Sequence, residues 1–114
     1  MIYHLALAAD WAGAQGEGND YRVSSLGRHL DDVGFIHCSF PHQLQRVADT
    51  YYRGRTDVVL LTIDRSKVAS PIREENTDGG TDMYPHIYGP LNVDAVTTAL
   101  AVATRPDGTL VITV

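Results

Sequence analysis

Three histidines of this chain stand where a titratable side chain is costly. His4 lies in Ile2-Tyr3-His4-Leu5, His37 in Gly34-Phe35-Ile36-His37-Cys38-Ser39, and His86 in Tyr84-Pro85-His86-Ile87-Tyr88-Gly89-Pro90. Each is flanked by apolar residues in a strand-like stretch. A buried polar group without a partner costs about 1–3 kcal/mol, so such groups are either satisfied internally or used. Two strand-borne histidines can serve as an acid and base pair. His37 and Ser39, at i and i+2, face the same way about 7 Å apart and can clamp the sugar or amide of a ligand. Ser39 can equally cap a helix beginning near Pro41, and the two roles are compatible. His4 has a plainer reading, a core histidine hydrogen-bonded to a carbonyl. A fourth segment, Arg73-Glu74-Glu75, adds carboxylates on opposite strand faces, so at most one points into a site. Cys38 reads as a small packed hydrophobe. Tyr84 and Tyr88 read as packing rims with a polar tip.

The elements that must hold these residues follow from local pattern. Met1–Leu7 reads as a buried strand. Asp10 is expected to cap a short helix from Trp11 to about Gln15, ended by Gly16 and Gly18. Tyr21–Val23 is a short extended piece. Ser24 is expected to cap a helix over Ser25–Asp32, terminated by Gly34. Phe35–Ser39 is a strand. Pro41 suits the first position of a helix running to about Arg53. Its Leu44, Val47, Ala48 and Tyr51 share one helix face. Asp57–Ile63 is a continuous β-branched run, typical of a central strand. Ser70–Glu75 reads as an edge strand, and Tyr84–Tyr88 as an edge or loop because of Pro85. Val93–Val102 fits helix or strand. A turn at Arg105–Gly108 leads into a closing strand, Thr109–Val114. Helices early and strands late predict an α+β fold.

Residues 1–114 leave room for one domain. Apolar residues make up 44% and charged residues 20%, which suits a globular chain. The formal net charge is −5, the wrong sign for non-sequence-specific nucleic-acid binding. One cysteine excludes an internal disulfide and a paired-cysteine zinc site. Met1–Ala9 lacks the basic start of a signal peptide, and no apolar run approaches the roughly 20 residues of a membrane span. The expected location is the cytoplasm. His29 and His42 fall on predicted helices and read as exposed. Gly13–Gly18 and Asp78–Thr81 read as loops; neither is a P-loop or Rossmann phosphate loop. The nucleophile elbow of a Ser-His-Asp hydrolase is absent. His4, His37 and His86 could together ligate a metal, although their spacing is not that of a metal motif.

These segments, in this order, resemble a bacterial family known as domain of unknown function 952. The resemblance runs from Ile2 to about Val96. It is carried by Ile2-Tyr3-His4, Trp11, Tyr21, Ser24-Ser25-Leu26, Gly34-Phe35-Ile36-His37-Cys38-Ser39, Gln43, Glu75 and Pro85-His86-Ile87-Tyr88-Gly89-Pro90-Leu91. That family is grouped with the ADP-ribosyltransferase-like fold, in which small antiparallel sheets splay around a NAD cleft. The resemblance therefore implies a small α+β domain of antiparallel sheets with two or three short helices. It implies NAD or ADP-ribose as ligand, with His4 gripping the ADP-ribose side and His37 or Ser39 beside the nicotinamide ribose. Glu75 or His86 takes the late catalytic position. The RNA 2′-phosphotransferase branch of that fold uses two histidines, and His4 and His37 fit it as well. There is no arginine in the first strand, but Arg22 or Arg73 can pair with a pyrophosphate.

The expectation is a protein that binds a nucleotide-like small molecule and performs ADP-ribosyl or glycosyl transfer. His4, His37, Glu75 and His86 are its catalytic candidates. Ser39, Tyr21, Ser24, Arg73 and Tyr88 are its ligand-binding candidates. No metal ligand is assigned, and neither nucleic acid nor membrane is expected as a partner. The alternatives are a non-catalytic small-molecule module, a metal-dependent enzyme built on the three histidines, and an interaction protein whose histidines only satisfy one another.

Overall fold

The computed structural model of the chain describes residues 1–16 and 20–114. Its organising strand is the apolar run Val58–Ile63, β6, flanked on both sides by antiparallel partners. One is β1, Ile2–Leu7, in a register from Ile2↔Ile63 to Leu7↔Val58. The other is β10, Val96–Ala101. Alternation along β6 feeds two cores. Leu61 and Ile63 join Ile2, Ala6, Ile36 and Ile87, whereas Val58 and Leu60 join Leu5, Leu44, Val47 and Tyr84. A strand buried on both faces reads as a continuous apolar run, which is why this one was plain in the sequence. The ambiguous stretch 93–102 resolves into a 3₁₀ turn, Val93–Ala95, followed by β10. Pairing with β6 settles the matter in favour of the strand.

The second three-stranded sheet positions the histidines. It runs β5 (Ile36–His37), β8 (Tyr84–Ile87), β7 (Ile72–Glu75), all antiparallel. Two smaller pairs complete the sheets. β2 (Asp20–Tyr21) pairs with β9 (Leu91–Asn92), and β3 (Val23–Ser25) forms a hairpin with β4 (Arg28–His29). The 84–88 segment is thus neither an edge nor a loop but the middle of its sheet, despite Pro85. The register Ile36↔Ile87, His37↔His86 sets Cys38 opposite Pro85. The Cys38 N–H donates to the Pro85 carbonyl at 3.0 Å. The reciprocal bond is the one proline cannot make. The β5 ladder stops there, and the chain crosses to the first sheet, where Ser39 and Tyr3 exchange both backbone bonds at 2.7 and 2.9 Å.

The helices depart from expectation at their starts. α1, Ala8–Gly16, follows β1 directly, so Asp10 lies in its first turn instead of capping it. An acid there still complements the helix dipole. Gly13 is helical, and Gly18 lies outside the described residues. The helix expected over Ser25–Asp32 shrinks to α2, Leu30–Val33. Gly27, at φ 64°, turns the β3–β4 hairpin instead. The His29 side chain, not Ser24, accepts the capping bond, from the Asp31 N–H at 3.1 Å. Pro41 opens a 3₁₀ turn before α3, Leu44–Tyr51. Ser39 does not cap that turn: the Gln43 side chain accepts from Phe40 N–H and donates to the Met83 carbonyl. Leu44, Val47 and Ala48 are buried, but Tyr51 is exposed and Tyr52 takes the buried place. The closing strand is absent. Residues 109–114 run alongside the fold with one bridge, Thr104↔Leu110, and Leu110 as anchor. No described helix is long and apolar enough to cross a membrane.

Gly89 sits where β8 leaves its sheet, at φ 150°, and a Cβ there would lie 2.9 Å from Ser70 Cβ. Gly27 also has positive φ but faces open space. Gly27→Ala should therefore cost about 1 kcal/mol. Gly89→Ala should cost clearly more, because the chain at Ser70, ahead of β7, must shift to admit the methyl group. Urea unfolding followed by fluorescence of the sole tryptophan, buried Trp11, compares them, and equal midpoints would refute the clash.

Candidate functional site

Strand alternation sorts the second sheet into two faces. Ile36, Cys38 and Ile87 point into the core. Phe35, His37, Tyr84, His86, Tyr88, Arg73 and Glu75 occupy the other face, as the paired positions His37↔His86, Arg73↔His86 and Glu75↔Tyr84 require. Four of these residues, Phe35, His37, Tyr84 and His86, floor a cleft of about 360 Å³. Its walls come from the β3–β4 hairpin (Ser24, Leu26, Arg28), from α3 and the residue after it (Val47, Tyr51, Tyr52), and from the loop at Thr77 and Asp78. A second hollow of about 360 Å³ adjoins it and shares Val47, Tyr51, Asp78 and Tyr84.

Two of the predicted catalytic residues meet in the cleft. The rings of His37 and His86 lie edge to face, with centroids 5.3 Å apart. His37 also meets Tyr84 edge to face at 5.0 Å, and Phe35 stacks on His86 at 4.1 Å. Burial lowers the pKa of His37 to about 4, helped by the nearby imidazoles of His4 and His86. Burial also lowers that of His86, opposed by the Glu75 carboxylate. Both rings are neutral at pH 7 and can accept or donate a hydrogen bond without carrying charge.

Glu75 does not line the cleft; it stands behind His86. Its Oε1 is 3.2 Å from His86 Nδ1 and also accepts from the Tyr88 hydroxyl. The Tyr88 bond, then the His86 contacts, hold the Glu75 carboxyl below its usual range. Arg73 lies with its guanidinium 5.0 Å from the centre of the Tyr88 ring and does not reach the cleft. Neither does Tyr88 itself.

His4 occupies a different place from the one its catalytic assignment requires. It is buried in the core, with Nδ1 2.6 Å from the His37 carbonyl oxygen and Nε2 2.9 Å from the Tyr21 hydroxyl. The carbonyl can only accept, so Nδ1 carries the proton and Nε2 accepts from Tyr21. Burial lowers the His4 pKa to about 4. Both nitrogens are used, so His4 grips no ligand here and cannot complete a three-histidine metal site. Among the described residues no three His, Cys, Asp or Glu side chains are grouped to hold a metal. Tyr21, expected at the ligand, is likewise a core residue. Ser39 is buried at the sheet crossing and is not part of the cleft lining. Of the ligand-binding candidates only Ser24 lines the cleft. Arg22 pairs with Asp20 at 3.2 Å.

Beyond His37 and His86, sequence reasoning identified Ser24 and the rim role of Tyr84 but missed the rest of the lining. Phe35, Tyr51, Tyr52 and Tyr84 supply the aromatic surface, and Arg28 is the one basic side chain among the described lining residues. Arg28 falls within the helix expected over Ser25–Asp32, whereas it belongs to β4. The Leu26-Gly27 pair was the signal that could have put it beyond a hairpin turn instead.

The His4 chain makes two predictions. Tyr21→Phe removes the hydroxyl that donates to His4 Nε2 and should cost about 1–3 kcal/mol in urea unfolding; an unchanged midpoint would show that the bond is dispensable. Stability should also fall on acidification. The unfolded His4 takes up a proton near pH 6.5 and the folded one only near pH 4, so its contribution is complete above about 6.5 and lost by about 4. The loss from His4 is about 3 kcal/mol, and His37 acts in the same direction. A flat profile of unfolding free energy across pH 4–6.5 would contradict neutral burial.

The chain resembles the crystal structure of protein CC0527 from Caulobacter crescentus with a TM-score of 0.82 and 29% identity, over 96% of this chain and 91% of that one. It resembles the solution structure of the same protein with a TM-score of 0.77 and 32% identity, over 94% and 88% of the two chains. No curated protein matches it. A family model described as protein of unknown function (DUF952) matches residues 5–99. That span contains the whole second sheet, β6 with parts of β1 and β10, and every residue that lines the cleft, and on it the chain belongs to the DUF952 family.

Proposed function

We propose that the cleft binds a nucleotide-like small molecule of the NAD or ADP-ribose class, and that the protein transfers or hydrolyses its ADP-ribosyl group. The observation that carries this reading is the meeting of two neutral imidazoles, His37 and His86, on a floor walled by aromatic rings. Neutral imidazoles suit ribose hydroxyls, which need both donors and acceptors. Phe35, Tyr51 and Tyr84 offer flat apolar surface for a nicotinamide or adenine ring. Arg28 at the rim suits a pyrophosphate, because a guanidinium binds phosphate oxygens in a planar fork. The volume lies within the roughly 300–1,000 Å³ typical of ligand sites. The adjoining hollow gives room for the second half of a dinucleotide. The sequence resemblance to the ADP-ribosyltransferase-like fold points to the same ligand class. An acidic chain of net charge −5 disfavours an RNA substrate. Catalysis proceeds by positioning and by stabilising an oxocarbenium-like ribose, with no covalent protein intermediate.

Calorimetric titration of NAD and ADP-ribose tests this reading. Binding at or below millimolar concentration is expected, and Arg28→Ala should weaken it about tenfold, the equivalent of about 1.4 kcal/mol. Absence of heat with both ligands at millimolar concentration would sink the proposal. Binding of NAD without release of nicotinamide would reduce the protein to a binding module.

A further inference from the structure

Glu75 and His86 were expected as alternatives for one catalytic position, and the structure brings them together. His86 is 1% exposed, and its ring is fixed on three sides. Phe35 stacks against it at 4.1 Å and an interplanar angle of 14°. His37 meets it edge to face. Glu75 Oε1 faces Nδ1 at 3.2 Å. An ionised carboxylate only accepts, so Nδ1 bears the proton and Nε2 bears the lone pair. Among the described residues Nε2 has no protein partner, yet no buried side-chain nitrogen is left unsatisfied. Nε2 is therefore reached from the cleft that His86 lines. The carboxylate is itself held in place. Tyr88 donates to the same Oε1, and Arg73 lies over the Tyr88 ring. Arg73, Tyr88 and Glu75 thus form a chain outside the cleft lining that ends at the His86 imidazole and its single basic nitrogen.

We propose that His86 is the general base of this site, acting through Nε2, and that Glu75 is the positioning residue that holds it in the Nδ1–H form. The proposal rests on the NAD-class reading above. In the hydrolytic reaction an O–H bond of water breaks and its proton goes to His86 Nε2. The water oxygen bonds to C1 of the nicotinamide ribose. The C–N glycosidic bond breaks, and its electron pair leaves on nicotinamide. NAD and water give ADP-ribose, neutral nicotinamide and one proton, which His86 returns to solvent. His86 must be neutral to begin. Its neutrality at pH 7 meets that need, and the Glu75 carboxylate keeps its basicity from falling further.

Two measurements separate the pairing from the ligand. In ligand-free protein, ¹⁵N spectra of the histidines at pH 7.5 read the tautomer directly. His86 should be in the Nδ1–H form, Glu75→Ala should lower that population, and Glu75→Gln should restore it through the amide carbonyl. An Nε2–H tautomer in the wild type would overturn the pairing whatever ligand binds. Nicotinamide release from NAD reads the base. His86→Asn should lower kcat by about 100-fold or more. The rate should fall on the acid side as His86 protonates. In Glu75→Gln that limb should move to lower pH, because the Glu75 charge, which together with that of Asp78 raises the His86 pKa, is gone while Asp78 remains. A limb that stays in place, or NAD binding without nicotinamide release by the wild type, would overturn the base assignment. Failure of NAD to bind at all would sink the ligand reading and the base step together, while the tautomer would still report on the Glu75–His86 pair.

Discussion

The structure depends on one buried imidazole. His4 ties β1 to β5 through the His37 carbonyl and to β2 through the Tyr21 hydroxyl. The neighbouring Tyr3 and Ser39 exchange backbone bonds alongside it. Among the described residues the two three-stranded sheets share no ladder beyond that single bridge. A side chain able to donate from one nitrogen and accept at the other is what joins them across a core of Ile2, Ile36, Cys38 and Ile87. An aliphatic residue would fill the volume but leave the His37 carbonyl and the Tyr21 hydroxyl without partners, at about 1–3 kcal/mol each.

The cleft inherits its geometry from that tie. His37 is at once the residue whose carbonyl His4 holds and the residue whose ring lines the cleft. Its backbone is anchored from below while its side chain faces the opposite way. Pro85 contributes from the other side. By withholding an N–H it ends the β5 ladder after Cys38 and releases the chain to cross between sheets. His86, next to it, is thereby left at the middle of a sheet but facing an opening. The burial that lowers the pKa of both rings is the same burial that keeps them ordered, so neutrality and precision have one cause.

Several features could be read from the chain because they are local. The β6 run, the amphipathic α3, the turn at Arg105–Gly108 and the left-handed stop at Gly34 each rest on a few adjacent residues. The α+β class followed from their order, and the antiparallel sheets from the family resemblance. The errors share a different cause. Pro85 makes Tyr84–Tyr88 look like an edge or loop, although whether a missing N–H matters depends on what lies opposite. The helix expected from Ser25 gave way to a hairpin because Gly27 and the pairing Ser25↔Arg28 outweighed a capping serine. The strand expected at 109–114 is reduced to the single bridge Thr104↔Leu110, although β10 is an edge strand.

For the site, composition and alternation alone determined that histidines lie on apolar strands, that Glu74 and Glu75 point to opposite faces, and that Phe35, His37 and Ser39 alternate with Ile36 and Cys38. Which histidines satisfy one another and which face a ligand was decided only by the tertiary structure. His4 and His37 have the same local signature, an imidazole between hydrophobes, and opposite roles. The difference lies in what the chain brings to each ring from 17 and 33 residues away for His4, and from 49 residues away for His37. A hydrogen-bond partner is a property of space rather than of sequence, and no periodicity encodes it.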